Sequence, residues 1–557
     1  MKTKLLLFST IILAIILRFS FLSRLPTGFV PEEVSNGWNA YSILKTGRDE
    51  WGTWLPLVFK ETGGYKLALN SYLIVPIMAV LGPSELTVRI PTALASVLAV
   101  WFTYVLAYQL FKKQKVALVA SLLLAVSPWS ISIGRYAEDV NWGITLFLLG
   151  VICFLKSFQN KRWLLVSAIA FGLTFYTYAA YIGFVLLFTW CILVWQRHHF
   201  LERQNWKWGI LFLIIPLLFL LPYAKEQNVT TRFNQTTSTK NIGLINQINE
   251  HKTACLTVYP NILCHGLYNK ITARIVELGK NYVNHYSTTT YFVYGSKLGM
   301  SGMPDNWGLL YLFEFPLIIL GGITLIKKRQ FSPVLIFWLL LFSIPSALVS
   351  EGHIWRMMTI VPVPSLLAAV GLLELFRLWP VIWVRVTALI VIPLFVFYFW
   401  SDYTTYFPYF QSSNSYYGFR DAYHFMAALE KDYGSIIVAP TGLGFKQLYI
   451  YYLFYLRPDP RAFQQGIDVE RVVGNEGWVD VKRIGKWRFT GDVRDLTPEI
   501  KEKTLLLTDG TFDEKQLITN GGNSTIVILP KLLSTVYYPT GDVAFKIVEL
   551  LPTSMNK

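Results

Sequence analysis

Residues 67–81 read LALNSYLIVPIMAVL, an apolar run that as an α-helix would reach only about 22 Å at 1.5 Å per residue, short of a hydrocarbon core of roughly 30 Å. Treating it as a juxtamembrane or re-entrant helix fixes the topology of everything that follows. Working outward, membrane-length apolar segments fall near residues 5–22, 88–111, 116–134, 142–156, 163–178, 180–196, 209–223, 308–326, 332–349, 357–376 and 381–400, about 11 spans. With the N-terminus inside, the short loops carrying Lys112/Lys113/Lys115, Lys156/Lys161/Arg162, Arg197/Arg203/Lys207, Lys327/Lys328/Arg329 and Arg377/Arg385 all fall on the cytoplasmic side, as the positive-inside rule requires. Counting 67–81 as a span would invert every later loop. Three sizeable segments then lie outside: 23–87, 224–307 and 401–557.

The composition agrees. Of 557 residues, 53% are hydrophobic and 15% charged, and the mean hydropathy is +0.42, too apolar for a soluble enzyme of several domains. An aromatic content of 16%, 37 glycines without period and four cysteines exclude a disordered chain, a collagen-like repeat and a disulfide-rich scaffold. The net charge of +16 sits in the first 400 residues, which hold 33 Lys and Arg against 16 Asp and Glu, while the tail holds 17 against 18. Cations flanking apolar spans report topology or contact with anionic lipid, so nucleic acid is not expected as a partner. Residues 1–22 are read as an uncleaved first span, because no small-residue cleavage site follows and Arg18 interrupts the run.

The expected architecture is a mainly α-helical polytopic membrane protein, residues 1–400, followed by an extracytoplasmic α/β domain, residues 401–557. In the tail, helical patterns run from Phe419 to Lys431 and Lys446 to Phe454, with strands near 435–439, 486–489, 504–507 and 526–529. No phosphate loop, metal-ligand spacing or nucleophile motif occurs there, which points to an accessory or acceptor-binding role. Cys153 and Cys191 fall in spans and read as buried small residues. Cys255 and Cys264 share one outer loop, where a disulfide would persist; two free thiols remain the alternative.

The chemistry-bearing residues gather on the outer face. Glu32 and Glu33 follow the first span directly, and a second acidic pair, Glu138-Asp139, closes the loop after Ser127-Pro128-Trp129 and Arg135. Adjacent carboxylates in a partly dry site raise at least one pKa, which suits a general base near neutral pH. Lys66, Arg89, Arg135 and Arg356 lie on the same face and could hold a lipid phosphate at headgroup depth.

These residues resemble the membrane glycosyltransferases that use polyprenyl-phosphate sugars, glycosyltransferase family 39, including protein O-mannosyltransferases and the aminoarabinose transferases of lipid A. The likeness runs through Pro31-Glu32-Glu33 with Asn39-Ala40-Tyr41-Ser42, Thr46-Gly47-Arg48-Asp49 with Gly52 and Leu55-Pro56-Leu57, and Gly64-Tyr65-Lys66. It continues through Val88-Arg89-Ile90-Pro91, Ser127-Pro128-Trp129, Arg135-Tyr136-Ala137 with Asp139 and Asn141, and Gly352-His353 with Arg356. The resemblance implies a GT-C fold and an inverting transfer from a polyprenyl-phosphate sugar to a protein, lipid or glycan acceptor at the cell membrane. Glu32, Glu33 and Asp139 are the implied catalytic acids. Lys66, Arg135, Arg356, His353, Tyr65 and Asn141 are the implied substrate contacts. Two positions depart from the pattern: Glu32 stands where Asp is usual, and Asp139 where the nearest relatives carry Glu. The sequence names no cofactor and leaves a divalent metal open. The competing reading is a transporter or flippase of lipid-linked sugars; such a protein should show inverted repeats and ionisable or broken spans at the midplane, whereas these charges gather at one surface.

Overall fold

The structure, a computed structural model, describes residues 2–61, 64–202, 205–224, 242–295, 302–349, 354–440, 447–473, 479–491, 500, 502–512, 517–521 and 524–555. The chain divides into two compact units. One comprises Met1–Arg18, Leu94–Gly134 and Asp139–Phe399; the other comprises Phe19–Ala93, Arg135–Glu138 and Trp400–Lys557.

The first unit is helical. Every apolar segment read from the sequence contains helix: α1 (Lys2–Phe19), then, after two helices of the other unit, α2 (Pro31–Thr46) and α3 (Leu69–Leu81), come α4 (Glu85–Phe111), α5 (Gln114–Val126), α6 (Pro128–Ile133), α7 (Val140–Ser157), α8 (Arg162–Thr174) and α9 (Ala179–Trp195). Helices Trp206–Leu218, Glu314–Lys327, Pro333–Leu341, Pro362–Leu378 and Ile382–Thr404 complete the set. Among the described residues, five stretches are long and apolar enough to cross a bilayer, namely Glu85–Phe111, Val140–Ser157, Trp206–Tyr223, Met358–Leu378 and Ile382–Phe410. This is a multi-pass membrane protein. Its outward-facing apolar side chains, such as Leu389 at 74% and Phe397 at 72% exposure, are what lipid rather than water accommodates.

Two devices fix the helices of this unit. Arg18, at the end of α1, is wholly buried and donates from Nη1 to the Ala125 carbonyl (2.8 Å) and from Nη2 to the Leu124 carbonyl (3.3 Å). A cation therefore meets the last carbonyls of α5, which have no partner within their own helix. Its Nε and Nη2 reach Ser96 Oγ (2.6 Å) and Ser130 Oγ (2.7 Å), pinning α4 and α6 to the same point. Ser127 then starts α6, with Pro128 at its first position, where a missing N–H costs nothing. The second device is a small-residue contact. A Cβ at Gly321 would collide with the Leu367 carbonyl and one at Gly371 with the Leu317 carbonyl, so helices Glu314–Lys327 and Pro362–Leu378 meet backbone to backbone.

In the second unit, α2 begins at Pro31 and stops at Gly47, whose φ of 70° is the left-handed conformation a side chain resists. The hairpin β1 (Val58–Glu61) and β2 (Gly64–Leu67) pairs Phe59 with Lys66 and leads into α3. The tail forms an eight-stranded sheet in the order β4-β5-β6-β3-β7-β10-β9-β8, with β3 (Ser435–Val438), β4 (Val469–Val473), β5 (Val479–Ile484), β6 (Trp487–Phe489), β7 (Thr504–Asp509), β8 (Leu517–Gly521), β9 (Ser524–Tyr537) and β10 (Val543–Met555). Strand β3 runs parallel to both neighbours, β6 and β7, and its Ile436, Ile437 and Val438 are buried, as expected of a strand covered on both faces. Helices Phe419–Leu429 and Leu448–Leu456 cover one side. The core there is shared: Phe29, Val34, Trp38, Ile74, Met78 and Val88 join Tyr423, Tyr451, Phe454, Trp487 and Phe545 in one cluster. Residues from both ends of the chain thus exclude water together, which the sequence boundary at 400 did not suggest.

Candidate active site

The two acids that open α2 have opposite surroundings. Glu33 is fully buried. Its Oε1 accepts from Arg89 Nε (2.9 Å) and the Ala137 amide (2.9 Å), and its Oε2 from Arg89 Nη2 (2.9 Å) and the Val30 amide (3.4 Å). All four acceptor positions of that carboxylate are therefore taken. Arg89 donates onward to the carbonyls of Pro26 (3.0 Å), Leu22 (3.3 Å) and Gly28 (2.6 Å). This forked, hydrogen-bonded pair meets the condition under which a buried ion pair is tolerable. It ties together the turn before α2, the start of α4 and the segment Arg135–Glu138.

Glu32 faces the other way and is exposed. Lys66, half-buried on β2, donates from Nζ to the Glu32 carbonyl at 2.8 Å, so hairpin and helix start are joined at this residue. Tyr416 stands close by; its hydroxyl is pushed up to about 12 by burial first and by the negative charge of Glu32 second. Tyr416 stacks on Tyr451 at 5.9 Å, and Tyr451 donates its hydroxyl to the Phe29 carbonyl (2.7 Å). The tail therefore contributes directly to the surroundings of Glu32.

Arg135 is buried too. Its Nη2 donates to the carbonyls of Ser20 (2.6 Å) and Leu25 (3.3 Å), and its guanidinium lies over the rings of Trp400 (5.5 Å) and Tyr403 (5.4 Å). Burial holds its pKa below the usual arginine value. The Ala137 carbonyl accepts from both Asn36 (2.8 Å) and Asn70 (3.0 Å), which locks the same segment to α2 and α3. Asp49, in the Thr46-Gly47-Arg48-Asp49 motif, shapes a turn by accepting the amides of Trp51 (3.0 Å) and Thr53 (2.7 Å) on Oδ1; burial raises its pKa despite those bonds. Gln464 braces this turn by donating to the Asp49 carbonyl (3.0 Å).

In the helical unit, Asp139 is buried at the cap position of α7. Asn141 donates to the Ile133 carbonyl at 2.7 Å, tying α7 to α6. Arg356 is half-buried, and its charge adds to the burial that lowers the pKa of His285. The expectations for His353 and for the Tyr65 side chain fall outside the described residues; the Tyr65 backbone pairs with Lys60. Among the described residues, no group of three or more His, Cys, Asp or Glu side chains could hold a metal ion.

Residues 68–223 match the family model described as dolichyl-phosphate-mannose-protein mannosyltransferase. The ArnT structure from Cupriavidus metallidurans bound to undecaprenyl phosphate superposes with a TM-score of 0.52 at 11% identity, over 97% of each chain. The chain has the GT-C glycosyltransferase fold. The apo form of the same ArnT gives 0.53 at 11% identity over 97% of each chain. The oligosaccharyltransferase of Archaeoglobus fulgidus, in complex with zinc and sulfate, gives 0.48 at 14% identity over 82% of this chain and 58% of its own, so this chain spans less than two thirds of that protein. A search of curated proteins finds no match. The sequence reading had not reached Tyr416, Tyr451 or Gln464, because it treated the tail as a separate body. The tyrosine-rich run YIYYLFYL at 449–456 was the available signal: such density of aromatic hydroxyls on one short helix calls for polar partners elsewhere in the fold.

Proposed function

We propose that the protein transfers a hexosyl or pentosyl group from a polyprenyl-phosphate sugar to an acceptor hydroxyl on the outer face of the membrane, with inversion. Glu32 takes the hydroxyl proton as the oxygen attacks the anomeric carbon, while the bond from that carbon to the phosphate oxygen breaks and polyprenyl phosphate departs. Lys66 stabilises the departing phosphate, whose charge grows along the reaction. The observation that carries this reading is the exposed Glu32 at the head of α2 with the Lys66 ammonium on its backbone carbonyl, which brings a carboxylate and a cation to one residue of the helix start. Glu33 serves as scaffold, since both of its oxygens are engaged with protein partners, and so does Arg135, held by the Ser20 and Leu25 carbonyls. Asp139, Asn141, Arg356, His353 and Tyr65 keep the acid and substrate-contact roles that the resemblance implies. The positive-inside parity supports the outer face.

The test uses the full chain in proteoliposomes with undecaprenyl-phosphate hexose and pentose donors and a panel of acceptors, reading release of undecaprenyl phosphate. Glu32→Gln should lower turnover by roughly a hundredfold or more while donor binding persists. Lys66→Ala should weaken donor binding as well as turnover, because the phosphate is contacted before and during bond breaking. A wild-type chain that moves intact donor between leaflets without releasing undecaprenyl phosphate is a transporter, and that result overturns the proposal.

A further inference from the structure

The helical unit carries an unusual hairpin outside the apolar spans. It runs through helices Ile242–Leu256, Asn261–Leu267 and Lys270–Asn284, closed by the Cys255–Cys264 disulfide with a Cα–Cα distance of 5.7 Å. Among residues 243–284, only these two cysteines are buried; the disulfide stands in for a core.

The last helix is two-faced. At 100° per residue, Ile271, Ile275, Val276, Leu278, Tyr282 and Val283 fall on one arc, and Lys270, Arg274, Glu277, Lys280, Asn281 and Asn284 on the other. Its orientation is the reverse of that of a helix on a water-soluble protein. Most of the apolar arc points away from the protein, with Ile271 73%, Ile275 63% and Val283 67% exposed, while Leu278 and Tyr282 at one edge of it are half-buried. On the polar arc, Asn281 donates to the Ala347 carbonyl (3.1 Å), and the Arg274–Glu277 pair is only 29% and 32% exposed.

Position matters as much as pattern. Tyr282 and Tyr286 donate their hydroxyls to the carbonyls of Leu340 (3.0 Å) and Leu339 (2.6 Å), which lie in the last turn of the apolar helix Pro333–Leu341 and lack partners within it. These two bonds hold the end of the helix against the apolar segment 332–349. The hairpin as a whole carries four Lys and Arg against two Glu, with Lys270 and Lys280 exposed.

We propose that the Lys270–Asn284 helix lies in the bilayer interface, its Ile271/Ile275/Val283 face sunk among acyl chains and its lysines on anionic headgroups. A basic amphipathic helix with low average hydrophobicity is suited to that plane rather than to spanning.

Single nitroxide labels test this in the full chain, with Cys153 and Cys191 replaced by Ala and the disulfide left intact. Labels at 271, 275, 276 and 283, and controls at 270, 280 and 284, are read in nanodiscs of phosphatidylcholine with and without phosphatidylglycerol. The expected result is collision with oxygen several-fold above that with a water-soluble nickel chelate on the first set, the reverse on the controls, and deeper burial when phosphatidylglycerol is present. Nickel collisions equal on both sets put the face in water and overturn the proposal. Low collision with both reagents on the first set means a protein covers the face, which also overturns it. Depth unaffected by phosphatidylglycerol removes the anionic headgroup as the ligand and overturns it as stated.

Discussion

Neighbouring glutamates at the start of one helix end up with separate work. The backbone turns about 100° per residue, so adjacent side chains in a first turn point to different places: Glu33 meets Arg89 and the Ala137 amide, and Glu32 is left exposed beside Lys66. Removing one partner of a buried pair strands the other charge, at about 3–5 kcal/mol. Glu33→Gln is therefore expected to lower stability by that order, seen as a large fall in thermal midpoint in detergent, whereas Glu32→Gln leaves the midpoint unchanged. Glu33→Leu combined with Arg89→Met should recover much of the loss, because no unpaired charge remains. The sequence showed the pair of acids and the cations facing them. It could not show which acid took Arg89, because that depends on where Arg135–Glu138 returns, a contact across about a hundred residues.

At the level of elements, legibility followed periodicity. Long apolar runs gave helices where expected, and four of the tail's strands, β3, β6, β7 and β9, lie where alternating or buried β-branched patterns pointed. Strands β4, β5, β8 and β10 were missed. β4 and β5 are short and mixed in polarity, and β10 continues through Pro552 into a segment that reads as loop. Packing between helices was also invisible, since a glycine in an apolar run does not announce its neighbour. Gly371→Leu should force apart helices Glu314–Lys327 and Pro362–Leu378, costing at least about 1–3 kcal/mol, while the same change at Gly322, where a Cβ meets nothing within 4 Å, should be tolerated; thermal midpoints of the two variants decide it. In the disulfide hairpin, Cys255→Ser with Cys264→Ser should destabilise the local fold by about 2–3 kcal/mol in the chain-entropy account. Amide exchange of residues 255–267 should accelerate, with the spans unaffected.

Across the whole molecule, the membrane-length stretch Ile382–Phe410 runs through residue 400, and the tail is not a folding unit of its own. The tail and the segment Phe19–Ala93 belong together. A chain ending after residue 405 should thus lose more than its tail. With Tyr423, Tyr451, Phe454 and Phe545 gone, Phe29, Trp38 and Val88 lose the partners that cover them. Protease sites between residues 31 and 81 should then open in sealed vesicles, while the helices of the other unit stay protected. Reporter fusions at Lys113 and Lys252 complete the check on topology. Lys113 should label from the inside and Lys252 from the outside; outside labelling of Lys113 would mean that 67–81 crosses the membrane after all.

The shared core also sets a schedule. Roughly 450 residues separate Ala93 from Phe545, and at about 5–20 residues per second synthesis needs on the order of 20–90 s to supply the second half of what Trp38 packs against. During that interval the buried ion pair can form, but the aromatic wall around it cannot. The newborn protein must wait on its own last third, and a quality-control protease would have that long to find it.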